Sequence, residues 1–185
     1  MKIISDGKEY TIDMTVADAV PSILSVVSDI IGQSDKIFYG LKINGQEVYE
    51  HFEMILEENK AILETIEPIL VTKKQWTDDI LYSIYEYTHN ALPKAVELVE
   101  IFYDNPREDA WVQLSYLIEG MQWIHKTSEY LPEYASLLDS SSLLENLNTA
   151  VTQLDLVLIG DLIQYEIVPY YEKIQTQLAA TIEMR

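Results

Sequence analysis

The hydrophobic pattern of this chain changes period at Lys73-Lys74-Gln75, from a last alternation of about 2 residues to a sustained repeat of about 3.6. Before that point, Ala61 to Leu70 places Ile62, Glu64, Ile66 and Pro68 against Leu63, Thr65, Glu67 and Ile69. After it, Ile80, Leu81, Ile84, Leu92, Ala95, Leu98 and Phe102 keep to one helical stripe. A half-buried strand and an amphipathic helix bury different geometries, so the switch predicts an α+β chain with two cores. We place one domain at residues 1–73 and a helical one at 75–185, joined by a short linker.

The first part reads as hairpins around a helix. Lys2 to Ser5 and Lys8 to Asp13 flank Asp6-Gly7, and Lys36 to Ile43 and Gln46 to Tyr49 flank Asn44-Gly45. Both dipeptides supply the positive φ angles of a tight hairpin turn. Between the hairpins, Ile23, Leu24, Val27, Ile30 and Ile31 share a helical face, with Thr15 or Asp18 as its cap and Gly32 at its end. Phe52, Ile55 and Leu56 predict a short helix within His51 to Asn59, and the alternation from Ala61 to Leu70 predicts the last strand.

Hairpin, helix, hairpin, short helix and strand, within about 70 residues, resemble the ubiquitin-like β-grasp fold. The resemblance covers Met1 to Lys73 and implies that the last strand lies beside the first. It implies architecture and not activity, because that fold hosts many functions.

The second part reads as an antiparallel four-helix, or kinked-helix, bundle. Pro93 deletes a backbone donor inside the first helical stripe, which predicts a kink or break within Thr88 to Pro93, with Asn90 able to cap a second segment. Asn105-Pro106-Arg107-Glu108 reads as a helix start, running to about Tyr130 with Trp111, Leu114, Leu117, Ile118, Met121 and Ile124 inward. Ser142-Leu143-Leu144-Glu145 reads as a capping box opening the third helix. A fourth, capped by Asp155 or continuous through it, carries Leu158, Ile159, Leu162, Ile163, Ile174 and Leu178 across Pro169.

Composition removes several chemistries. Among 185 residues there is no cysteine, hence no disulfide, thiolate nucleophile or cysteine-held zinc. Six scattered glycines form neither a P-loop nor a dinucleotide fingerprint, and no cofactor is expected. The net charge is −19: 7 Lys and Arg against 13 Asp and Glu through Lys74 (net −6), then 5 against 18 (net −13). Such a field repels phosphate backbones, so nucleic acid is not an expected partner. No apolar stretch approaches the roughly 20 residues of a membrane span, and the N-terminus has no secretory pattern. No membrane association is expected, and the expected location is cytoplasmic.

Three histidines, His51, His89 and His125, lie near no Gly-x-Ser-x-Gly motif. Glu86-Tyr87-Thr88-His89 has the Glu-x-x-His spacing of carboxylate-bridged metal bundles. A second copy is missing, since Gln122 takes the acid position before His125, and Glu119 and Glu166 are the remaining candidate carboxylates. A metal-dependent enzyme in the helical part therefore stands as the alternative reading.

Tyrosine is the unusual residue: ten of 13 follow Trp76. An apolar ring with a polar tip suits half-buried grooves and interfaces. With catalytic motifs missing, the expectation is a non-enzymatic interaction protein, an adaptor or small chaperone, binding a protein partner through Tyr82, Tyr116, Trp123, Tyr170 and Tyr171. Acidic, tyrosine-bearing helical bundles are similar in general character to bacterial flagellar and secretion export chaperones, which implies a helical partner. Self-association, with a structural homodimer consuming the tyrosine-rich face, is the other alternative.

Overall fold

The computed structural model describes residues 1–104 and 106–182; the expected cap Asn105 lies outside the described residues. The chain divides into two compact units, Met1–Trp76 and Thr77–Arg185.

The first unit is a five-stranded mixed sheet with helices. Its strands are β1 (Lys2–Ser5), β2 (Lys8–Thr11), β3 (Ile37–Ile43), β4 (Gln46–Val48) and β5 (Thr65–Val71), in the order β2-β1-β5-β3-β4. Both predicted hairpins form, and Asp6 and Asn44 open their turns at φ 47° and 48°. β5 lies parallel to β1, Lys2 opposite Thr65 and Ile3 opposite Ile66, so the last strand is beside the first. Helix α1 (Ala19–Gly32) contributes Ile23 and Val27 to a core shared with Ile3, Leu41, Ile43 and Ile66 of the sheet. Each such burial contributes about 1.5–3 kcal/mol.

Two local expectations change. Neither Thr15 nor Asp18 caps α1 with its side chain: Thr15 donates from its backbone N–H and its hydroxyl to Asp13 Oδ1, at 2.9 and 2.7 Å. The last strand starts four residues later than Ala61. After α2 (Phe52–Glu58), Lys60–Ile62 is a 3₁₀ turn. Asn44 holds it there, donating to the Ile62 carbonyl at 2.8 Å and accepting from the N–H groups of Glu64 and Thr65 at 2.8 and 3.0 Å.

A single residue, Thr72, separates β5 from α3 (Lys73–Asp104). Thr72-Lys73-Lys74-Gln75 is itself a capping box. Gln75 donates its N–H to Thr72 Oγ1 at 3.1 Å, and its Oε1 accepts from the Thr72 N–H at 2.9 Å.

In the helical unit α3 is continuous through Pro93, and the expected break is absent; Asn90 donates its side-chain amide to the Glu86 carbonyl within the helix and caps nothing. Helix α4 (Glu108–Ser128) begins two residues beyond Pro106, and it buries Leu114, Leu117, Met121 and Ile124 while Trp111 and Ile118 are half-buried. A short α5 (Ala135–Leu138), unforeseen in the sequence, precedes α6 (Ser141–Gln153). The expected box at Ser142 and Glu145 does not form, because α6 has already begun at Ser141 and both residues lie within it. Asp155 does cap the next helix, α7 (Leu156–Leu162), its Oδ1 accepting from the Leu158 N–H at 3.0 Å. A π turn, Ile163–Ile167, then leads into α8 (Val168–Ile182). It sits where Pro169 removes one donor from the helical ladder, and widened turns absorb such losses.

Contacts order these helices. Phe102 meets Trp111 and Tyr87 meets Trp123, so α3 and α4 run in opposite directions. Tyr103 meets Asp161, and Gln175 donates to the Thr88 carbonyl at 3.0 Å, so α3 also opposes the α7–α8 segment.

Candidate functional site

At the α3–α4 seam Tyr87, Ala91, Ala95 and Leu98 fall on one side of α3, and Leu117 of α4 answers them. The short side chains of Ala91 and Ala95 leave space between the larger ones, and an open groove of about 540 Å³ lies there. Asn90, Lys94 and Glu97 of α3 and Gln113 and Tyr116 of α4 line the rest of it.

Tyr87 forms one end of this groove. Its ring meets Trp123 at 6.1 Å and Tyr171 at 6.0 Å between centroids, edge to face in both cases. Its hydroxyl reaches to 3.4 Å from that of Tyr171 and lies against the bare Cα of Gly120. Burial raises the pKa of Tyr87 above the ordinary phenol value, the Tyr171 hydroxyl opposing that shift. The ring is thus held neutral as a wall.

Tyr116 on the groove wall and Trp123 beside it are 64% and 42% exposed. Seven residues apart on α4, they lie within about 20° of each other around the helix, with the exposed Glu119 between them. Both are carried on helix α4, the Trp123 ring packing edge to face on Tyr87.

The other expected residues are placed differently. Tyr82 is exposed, yet it projects about 140° around α3 from Tyr87 and does not line the groove. Tyr171 is fully buried, so it is a core residue and not part of a binding face in this structure. Burial drives its pKa far above the usual phenol range. Tyr170 is half-buried and donates its hydroxyl to the Leu138 carbonyl at 2.7 Å, tying α8 to α5; burial pushes its pKa up to about 12. The Ser140 hydroxyl beside it is buried without a well-formed hydrogen bond, although it lies close enough to favour the ionised phenol. These two tyrosines fasten helices.

The metal-like residues do not converge. Glu86 is half-buried and His89 exposed, its ring stacked on Tyr85 at 6.1 Å. Glu119, Gln122 and Glu166 face solvent. His125 Nδ1 approaches Asp139 Oδ1 at 3.3 Å without hydrogen-bond alignment, and Asp139 is held below the usual carboxylate range chiefly by the Ser141 N–H. Among the described residues, no three His, Asp or Glu side chains are grouped as a metal ion requires. Nor is any helix among them long and apolar enough to cross a membrane.

Sequence reasoning missed Gly120 and Gly160. Gly160 of α7 lies under the Tyr103 ring as Gly120 lies under Tyr87. A glycine inside a strongly periodic helical run is the signal that could have found both.

A family model described as "Domain of unknown function (DUF8042)" matches residues 79–177, a little over half of the chain. No curated protein and no solved structure matches it. The matched span holds both walls of the groove.

Proposed function

The chain belongs to the DUF8042 family, and on that premise we propose that it is a non-enzymatic protein–protein interaction module whose helical unit, an antiparallel bundle, takes up a helical segment of another protein. The observation that carries this reading is the open α3–α4 groove with Tyr116 on its wall and Trp123 beside it. Aromatic side chains displaced from any core, on rigid helices, are the usual anchors of protein association. The small residues Ala91 and Ala95 give an incoming aliphatic side chain room to seat. Glu97 and Glu119, within a unit of strongly negative charge, would steer a basic partner.

The first unit, read as a β-grasp-like domain, would position that groove in an adaptor or small chaperone acting in the cytoplasm. The scattering of Glu86, His89, His125 and Glu166 speaks against the metal-enzyme alternative. A homodimer through the groove would bring two strongly acidic units together, which self-repulsion opposes.

The test is affinity capture from lysate of the source cell, with wild type and Tyr116→Ala/Trp123→Ala as paired baits. The reading expects one or more proteins retained by wild type and lost by the variant while both baits keep the same melting temperature. Equal retention by both would remove the groove from the account.

A further inference from the structure

A second unpartnered face lies at the α6–α7 corner, and nothing in the groove reading uses it. Leu154, Val157 and Tyr165 are 68%, 60% and 67% exposed, and Leu158 is exposed between them. From Val157 to Tyr165 the exposed side chains span roughly 12 Å at a helical rise of about 1.5 Å per residue, with Leu154 just before them. Large apolar side chains exposed near one another mark association sites more often than isolated ones do.

Two further observations set this corner apart. Leu154 occupies the left-handed conformation that ends α6, at φ 54°, where glycine or asparagine is the ordinary choice. The chain thus holds a leucine in a strained backbone and exposes it, and such strain clusters at sites of function. Tyr103 braces the same corner. Its ring covers Gly160, and its hydroxyl donates to Asp161 Oδ1 at 2.5 Å with Gln164 Oε1 at 3.1 Å. Tyr103 projects about 160° around α3 from Tyr87, so this face and the groove lie on opposite flanks of that helix.

Charge decides the occupant. Between Lys126 and Lys173 the sequence has no lysine or arginine, and Asp155, Asp161 and Glu166 punctuate the apolar stripe itself. Glu100 of α3 acts on the same Tyr103 hydroxyl. A second copy would oppose this face with equal acidity, which disfavours self-association. An apolar face of about two turns flanked by carboxylates is complementary to a helix with aliphatic residues on one side and lysine or arginine beside them.

We propose that the α6–α7 corner is a docking face for a cationic amphipathic helix of another protein, separate from the α3–α4 groove, so that the helical unit joins two protein segments. The probe is a synthetic leucine–lysine amphipathic helix titrated into the full-length protein, with backbone NMR shifts as the readout. Shifts should concentrate in residues 154–165, and affinity should fall as salt is raised from about 50 to about 300 mM. Val157→Ser/Tyr165→Ser should weaken binding by about tenfold or more. Leu154→Gly should weaken it too while leaving the protein at least as stable, which excludes unfolding as the cause. Tyr116→Ala/Trp123→Ala should still bind the probe, so failure of the groove reading and failure of this one are distinguishable. Equal affinity for a leucine–glutamate helix, unchanged affinity in Val157→Ser/Tyr165→Ser, shifts confined to the groove, or a dimer abolished by that same variant would each overturn the proposal.

Discussion

The hydroxyl of Tyr87 occupies the space that a Cβ at residue 120 would fill, so glycine at position 120 and tyrosine at position 87 are mutually dependent. Alanine is the better helix former by about 1 kcal/mol in an interior position. Here that gain meets an overpacking cost of about 1–3 kcal/mol, because Tyr87 is pinned by Trp123 and Tyr171 and cannot retreat freely. Gly120→Ala is therefore expected to destabilise the protein by up to about 2 kcal/mol in urea denaturation. In the Tyr87→Ala background the same change should be neutral or stabilising, and a double-mutant cycle reads that coupling directly.

Capping supplies a paired prediction. Thr72 and Gln75 form a reciprocal box at the start of α3, whereas Ser142 lies inside α6 and Ser140 precedes it. Thr72→Ala should cost about 1 kcal/mol and Ser142→Ala less than about 0.5 kcal/mol. Equal costs in thermal or urea unfolding would mean that the Ser142 box forms after all.

Alkaline pH should unfold the helical unit through its buried phenols. Tyr171 and Tyr87 are raised chiefly by burial, and Tyr170 is pushed up to about 12 by the same cause. Below the unfolded phenol value, about 10, both states hold these protons and stability is fully present. As the pH rises from about 10 toward 12 the unfolded chain loses protons that the native state keeps, so stability falls by up to about 1.4 kcal/mol per pH unit for each such group. Tyr171→Phe should flatten that decline, measured as the urea midpoint at about pH 9, 10 and 11. An unchanged slope in the variant would contradict the burial of Tyr171.

Turns were legible in the sequence because Asp6-Gly7 and Asn44-Gly45 meet a backbone requirement that few residues satisfy. Asp155 was legible as a cap for the same local reason. Thr72-Lys73-Lys74-Gln75 was equally legible but hidden beneath the change of period that it marks. Elsewhere local signals left alternatives open, as with the kink or break expected at Pro93, of which the break does not occur. Pro93 sits in an unbroken α3, which Gln175 also anchors at the Thr88 carbonyl. The candidate face divided along similar lines. Tyr116 and Trp123 share a side of α4 by spacing alone, but no pattern could tell that adjacent Tyr170 and Tyr171 would fasten and fill the interior. Nor could spacing within α3 and α4 reveal that Ala91 and Ala95 would lie at a seam with α4 that stays open, or that Gly120 would sit under Tyr87.

The central claim is that a protein segment occupies the α3–α4 groove, and site-specific photo-crosslinking tests it most directly. A benzophenone amino acid is placed at Tyr116 in one protein and at Tyr82, on another side of α3, in a second. The account predicts a discrete adduct with a different protein from position 116, lost when Trp123 is changed to alanine, and little or none from position 82. Adducts of equal yield from both positions, or an adduct only with a second copy of this chain, would contradict it.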